Sequence, residues 1–301
     1  MKLKGLIAAT HTPFDSDGAL NLDIVEKQAN HLLINKITAV FINGTTGECH
    51  SLTFEERLQL ARRWMKATKG TDLKVVVHIG SNCIADSCAL AAEAEKLGVY
   101  AIATMAPSYF KPIALDDLIN WCAKIASAAP STPFYFYDIP ILTGVCFSMP
   151  EFLKRAPEKI PNLVGIKFTN SDLMSYQLCL RACNWKFDIP YGTDEWLLAA
   201  LSLGGKGGVG SSYNFAAPLY HRLINSFLAG DLEKAQTEQF RSVELIKLLS
   251  SYGYLTASKA VMGMLGINVG APRLPIRSLT SEQIKQLRTD LEQLGFFNWI
   301  K

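Results

Sequence analysis

The chain has 301 residues, 49% of them hydrophobic and 19% charged, with 30 basic and 27 acidic residues leaving a formal charge of +3. That apolar content excludes intrinsic disorder and is ample for one large core. A near-balanced charge without a basic cluster leaves no electrostatic footprint for nucleic acid or a membrane surface.

The seven cysteines (Cys49, Cys83, Cys88, Cys122, Cys146, Cys179 and Cys183) are odd in number and form no C-x-x-C. They read as reduced thiols, with neither a disulfide framework nor a zinc site. Two lysines open the chain, and only six residues follow before His11, too few for a signal-peptide apolar region. The long, nearly uncharged stretch 125–149 is broken by Pro130, Pro133, Pro140 and Asp138, so it does not read as a membrane span. The expectation is a soluble cytoplasmic protein.

In chain order, short apolar runs fall at 5–10, 39–43, 74–79, 100–105, 133–137, 163–168, 188–192 and 207–210. Most are continuous rather than alternating, as strands covered on both faces should be. Amphipathic stretches of helical period lie between them, for example 22–33, 53–67, 84–97 and 115–126. Thr53 with Glu56 makes a capping box at one of these starts. Strand and helix alternating eight times, about 29 residues apart, is the pattern of a (β/α)8 barrel. After Pro218 the pattern turns helical, at 219–228, 232–252, 256–264 and 281–294. The expected organisation is therefore an α/β TIM barrel over 1–218 carrying the site, with a helical C-terminal extension over 219–301 packed on it.

In such a barrel the chemistry sits at the carboxyl ends of the strands. The second run ends in Asn43-Gly44-Thr45-Thr46-Gly47-Glu48. Successive N–H groups with two hydroxyls suit a small carboxylate; an ordinary Gly-rich turn looks the same. The fifth ends in Tyr135-Phe136-Tyr137-Asp138-Ile139-Pro140, and alternation sets Tyr135 and Tyr137 on one face. Tyr137, nearer the rim, is a candidate proton donor or acceptor; an aromatic core strand is the plainer reading.

The sixth run, Leu163-Val164-Gly165-Ile166-Lys167-Phe168-Thr169, holds one lysine among apolar residues. Burial of an unpaired ammonium is costly, so desolvation lowers the amine pKa and makes it the nucleophile that Schiff-base chemistry needs. A lysine snorkelling to solvent at a strand end is the alternative. The seventh run ends in Gly192-Thr193-Asp194-Glu195 and the eighth in Gly210-Ser211-Ser212. Two acids at a barrel rim suit a polyhydroxylated ligand, or simply oppose a helix dipole. The run Gly205–Gly210 formally fits G-x-G-x-x-G but comes too late to open a dinucleotide fold and lacks the lysine of a phosphate loop. The histidines form no metal-binding cluster; His78 and His50 are at most supporting residues.

Gly44-Thr45-Thr46-Gly47-Glu48, Tyr137-Asp138-Ile139-Pro140 and Gly165-Ile166-Lys167 together resemble the signatures of the dihydrodipicolinate synthase/N-acetylneuraminate lyase superfamily, over essentially the whole chain. Further stretches, among them Ile141-Leu142-Thr143-Gly144 and Pro272-Arg273-Leu274-Pro275, resemble the animal N-acetylneuraminate lyases. The resemblance implies pyruvate-dependent class I aldolase chemistry on N-acetylneuraminate, giving N-acetylmannosamine and pyruvate without a cofactor or metal. It implies Lys167 as the imine-forming residue and Tyr137 as proton relay. Thr45 and Thr46 would hold the carboxylate, and Thr169, Gly192, Asp194, Glu195 and Ser211 the sugar chain. Leu142 stands where dihydrodipicolinate synthases carry an arginine for a second carboxylate. Asp138 stands where animal relatives often carry histidine. Tyr109 falls where relatives place a subunit contact, and relatives are usually homotetramers. Two readings stay open beside this one: the same imine chemistry on a 2-keto-3-deoxy sugar acid, and a catalytically silent sugar-acid binding protein.

Overall fold

The computed structural model describes residues 3–301. Seven parallel strands form in chain order: β1 (Gly5–Ala9), β2 (Ala39–Ile42), β3 (Lys74–His78), β4 (Ala101–Met105), β5 (Phe134–Asp138), β6 (Leu163–Phe168) and β7 (Gly207–Gly210). Their order in space is β6-β5-β4-β3-β2-β1-β7, so each strand lies beside its sequence neighbour except at one seam.

The expected run 188–192 fills that seam, though not as a regular strand. Bridges join Gly165 to Asp188, Phe168 to Tyr191 and Tyr191 to Gly208. Ile166 N–H donates to the Asp188 carbonyl and Phe168 N–H to that of Pro190, both at 3.0 Å. On the other side Val209 N–H reaches the Tyr191 carbonyl at 2.8 Å. Pro190 has no N–H to give, which interrupts a regular ladder at the point where the barrel closes. Gly165 is needed at the same seam, because a Cβ there would lie 1.7 Å from the Asp188 carbonyl oxygen. The chain is thus a (β/α)8 barrel.

Period-two alternation sorts the strand residues between two cores. Leu6, Val40, Val75, Ile102, Phe136, Ile166 and Phe168 face outward into the layer shared with the helices. Ile7, Phe41, Val76, Ala103, Tyr135, Tyr137 and Val209 fill the barrel interior. Lys167 lies between the outward-facing Ile166 and Phe168, which turns it inward.

The helices follow the amphipathic stretches, at Ile24–Ile34, Phe54–Ala67, Ile84–Lys96 and Leu115–Ala126. The capping box forms as read: Glu56 N–H donates to Thr53 Oγ1 at 3.2 Å, and Thr53 N–H donates to Glu56 Oε2 at 2.8 Å. The helix after β7, expected to start at 219, begins earlier and runs Tyr213–Leu228, through Pro218; it is the eighth helix of the barrel, so the position 218 expected to separate barrel and tail falls inside it. The proline ring opposes the carbonyl four residues back, and the backbone kinks at Ala216. Leu232–Ser251, Tyr254–Met264 and Ser281–Leu294 complete the helical tail, with a short turn at Phe296–Trp299. Among the described residues no helix is long and apolar enough to cross a membrane, and all seven cysteines are free.

Candidate active site

A cavity of about 650 Å3 opens at the carboxyl ends of the strands, with Thr45, Thr46, Tyr137, Lys167, Thr169, Gly192, Asp194, Glu195 and Ser211 all on its wall. The strand ends supply most of it, because residues just beyond a barrel strand converge on the axis.

Lys167 is 4% exposed. Its Nζ lies 4.0 Å from the centroid of the Phe41 ring and 4.0 Å from that of Tyr137. Burial lowers its pKa from 10.5 to about 7, against the opposing pull of Asp194 and Cys49. The environment favours a neutral amine near physiological pH. Tyr137 stands edge-on to Phe41, and its hydroxyl is 3.3 Å from Thr45 Oγ1. Burial pushes the phenol up to about 12, with the Thr45 hydrogen bond pulling the other way, so Tyr137 is a protonated donor at neutral pH.

Thr45 and Thr46 lie on a loop whose flanks, Asn43 and Glu48, are both left-handed (φ 56° and 55°). Among the described residues no acceptor faces the Thr45 or Thr46 N–H. These donors and the two hydroxyls make a cradle for a carboxylate beside Lys167. Gly192 lets Thr169 approach, since a Cβ there would sit 1.8 Å from Thr169 Oγ1.

The two acids differ. Asp194 is buried, and its Oδ2 accepts from Ser212 N–H at 2.9 Å and from the Ser212 hydroxyl. Burial raises it to about 6, with Ser212 opposing. Asp194–Trp196 form a single 3-10 turn, and Asp194 binds Ser212 rather than capping that turn. Glu195 is half-buried and raised by burial. Ser211 donates to Tyr254 Oη at 2.9 Å.

Several other expectations find their places. Leu142 is 59% exposed and off the cavity wall, which Pro140 and Ile141 supply instead. Asp138 is buried outside the barrel interior, with Asn170 Nδ2 at 3.4 Å, and burial raises it to about 6. His78 is buried with its Nδ1–H donating to the Asn43 carbonyl at 2.8 Å, while His50 is exposed. Gly207–Gly210 form β7, so the glycine run is strand and not a phosphate loop. Tyr109 is exposed and packs edge-on against Phe110. Among the described residues no three His, Cys, Asp or Glu are grouped to hold a metal ion.

Sequence reasoning missed Ile246, Ser250, Tyr254 and Leu255, which wall the cavity from the helical tail. Gln239 secures that tail to the rim, its Oε1 accepting from Leu198 N–H at 2.7 Å and its Nε2 donating to the Asp194 carbonyl at 3.2 Å. No local motif marks these residues; their place depends on how the tail packs.

Residues 2–294 match the model of the dihydrodipicolinate synthetase family. The chain is 39% identical to the N-acetylneuraminate lyase of Gallus gallus over 297 residues, 97% of this chain and 96% of that protein. The solved N-acetylneuraminate lyase of Proteus mirabilis superposes with a TM-score of 0.96 at 41% identity, covering 98% of this chain and all of the other. That of Aliivibrio salmonicida gives 0.95 at 42% identity, covering 98% of each. With residues 2–294 matching its model and these relatives aligned over at least 96% of both chains, the chain belongs to the dihydrodipicolinate synthetase family.

Proposed function

We propose that the chain is a class I aldolase that reversibly cleaves N-acetylneuraminate to N-acetylmannosamine and pyruvate. The observation that carries the chemistry is the Lys167 amine, buried beside Tyr137 and the Thr45–Thr46 cradle with its pKa lowered to about 7. Full-length likeness to proteins named N-acetylneuraminate lyase carries the substrate.

Neutral Lys167 attacks the C2 ketone of the open-chain sugar acid, and loss of water gives an imine. Protonated, the imine is an electron sink. Removal of the C4 hydroxyl proton breaks the C3–C4 bond, and its electron pair flows into the imine to leave the enamine of pyruvate. Protonation at C3 and hydrolysis release pyruvate and regenerate the lysine. Tyr137 relays protons, while Thr45 and Thr46 hold the carboxylate. Thr169, Gly192, Asp194, Glu195 and Ser211 recognise the hydroxyl chain. The imine supplies the electron sink, so this route calls on no cofactor.

The proposed division into a barrel, 1–218, and a helical extension, 219–301, moves to the end of the helix Tyr213–Leu228 and is topological, because the extension helps wall the cavity. A cytoplasmic location accords with seven free thiols. A homotetramer accords with the exposed apolar residues Tyr109, Phe110 and Ile113.

The test is pyruvate release from N-acetylneuraminate by purified protein, with aspartate semialdehyde plus pyruvate as the competing reaction. Cleavage of the sugar acid without condensation of the semialdehyde is expected. Faster turnover of the semialdehyde would overturn the substrate and leave the imine chemistry standing.

A further inference from the structure

Behind the Thr45–Thr46 loop lies a buried ion pair that the proposed reaction does not use. Lys259, on the helix Tyr254–Met264, places Nζ 2.7 Å from Glu48 Oε1, and both side chains are within 1% of complete burial. The same amine donates to the Ala271 carbonyl at 3.2 Å. The other oxygen of Glu48 accepts from Arg273 N–H at 2.8 Å. Both oxygens of this carboxylate are thus held by residues from the helical tail, more than 200 positions away in sequence.

Glu48 ends the loop in a left-handed conformation. For a residue with a Cβ that conformation is unfavourable and persists only where the surroundings over-determine it. The ion pair does so from one side. On the other, Thr12 Oγ1 donates to the Gly47 carbonyl at 2.7 Å. The front of the loop is fixed too, since Asn43 accepts from His78 and donates through Nδ2 to the Arg57 carbonyl at 3.0 Å. Between these anchors Thr45 and Thr46 stand on the cavity wall, and among the described residues their N–H groups have no acceptor. A buried ion pair is about neutral in stability against an apolar pair of equal volume. Orientation accounts for this pair better than stability does.

We infer that Lys259 and Glu48 are positioning residues for substrate: their ion pair sets the aim of the Thr45 and Thr46 donors at the carboxylate. It also couples that loop to the helix Tyr254–Met264, whose Tyr254 and Leu255 wall the same cavity. The inference rests on the proposed role of Thr45 and Thr46 as carboxylate holders.

The experiment measures borohydride trapping of pyruvate as a function of pyruvate concentration, with melting temperature in parallel. Single charge removals leave one buried charge unpaired and destabilise the fold. The main variant is therefore the double Glu48→Gln, Lys259→Met, which removes both charges and keeps the volume. Its half-saturating pyruvate should rise about tenfold or more, with the trapping rate at saturation and the melting temperature close to wild type. Glu48→Asp keeps the charge but shortens the reach, and should raise half-saturation in the same way. Unchanged half-saturation in either folded variant, with or without a lower melting temperature, overturns the inference. Thr45→Val and Thr46→Val separate this from the reading beneath it. Sensitivity to the threonines without sensitivity to Glu48 overturns the positioning role alone. Insensitivity to the threonine substitutions, which leave the N–H groups in place, overturns the hydroxyl part of the carboxylate assignment, and insensitivity to Glu48 as well overturns this inference with it.

Discussion

Lys167 Nζ lies 4.0 Å from the centre of the Tyr137 ring, and Phe41 faces the same nitrogen at an equal distance. An ammonium there gains cation–π attraction, on the order of 2 kcal/mol when desolvated. That is not enough to offset burial, which lowers the pKa to about 7. A sizeable fraction of the amine is thus neutral at physiological pH, with a proton donor beside it.

The first prediction is the pH dependence that follows. The rate of imine formation with pyruvate should rise from pH 6 and level off above about 8 as Lys167 deprotonates. A rate still climbing tenfold per unit beyond pH 9 would place the amine at its ordinary value. Stability carries the same sign: between about pH 7 and 10.5 the unfolded lysine holds a proton that the folded one has released. This group's contribution therefore rises with pH across that window, and Lys167→Met should lose that slope in melting temperature.

Tyr137→Phe removes the hydroxyl and keeps the ring on Lys167. If Tyr137 relays protons, kcat should fall on the order of 10²–10⁴-fold, with KM changed much less. A variant with near wild-type kcat and raised KM would make Tyr137 a binding residue only.

Asp194 and Glu195 should separate on mutation. Glu195 is half-buried with no side-chain hydrogen bond to the barrel among the described residues. Glu195→Ala should lower kcat/KM for N-acetylneuraminate roughly ten- to a hundredfold. Pyruvate trapping and melting temperature should be unchanged. Asp194→Ala should do the same to kcat/KM and also lower the melting temperature, since it strands the buried Ser212 N–H and takes one partner from the Ser212 hydroxyl, which keeps Tyr220. Equal losses with pyruvate and with the sugar acid would assign both acids to the common half of the site.

Gly165→Ala tests the barrel seam. The added methyl would meet the Asp188 carbonyl oxygen at 1.7 Å. Forced backbone movement of this kind costs typically about 1–3 kcal/mol, so the melting temperature should drop by several degrees. An unchanged melting temperature would show that the 188–191 segment can move without harm.

The barrel was legible because continuous apolar runs and amphipathic helices alternate without interruption. Lys167 stood out as one charge within an apolar run, but alternation left open whether its face pointed into the barrel or out to solvent at the strand end; the outward packing of Ile166 and Phe168 decides it. Three things were not legible. Pro190 breaks the ladder at the seam, which a run of apolar residues does not reveal. Leu142 seemed to line the acceptor end, but the short helix Pro140–Thr143 sets it off the cavity wall and places Pro140 and the exposed Ile141 at the rim instead. The contribution of Tyr254, Ser250 and Ile246 depends on packing between distant parts of the chain, as does the pairing of Glu48 with Lys259. Local periodicity carries no information about either.

The central claim is that the Lys167 amine forms an imine with the ketone of a 2-oxo acid. Incubation with pyruvate and borohydride, followed by peptide mapping by mass spectrometry, tests it directly. The account predicts a reduced pyruvate adduct on the peptide carrying Lys167, irreversible loss of activity in step with it, and neither in Lys167→Ala. An adduct on another lysine, or cleavage activity surviving in Lys167→Ala, would contradict it.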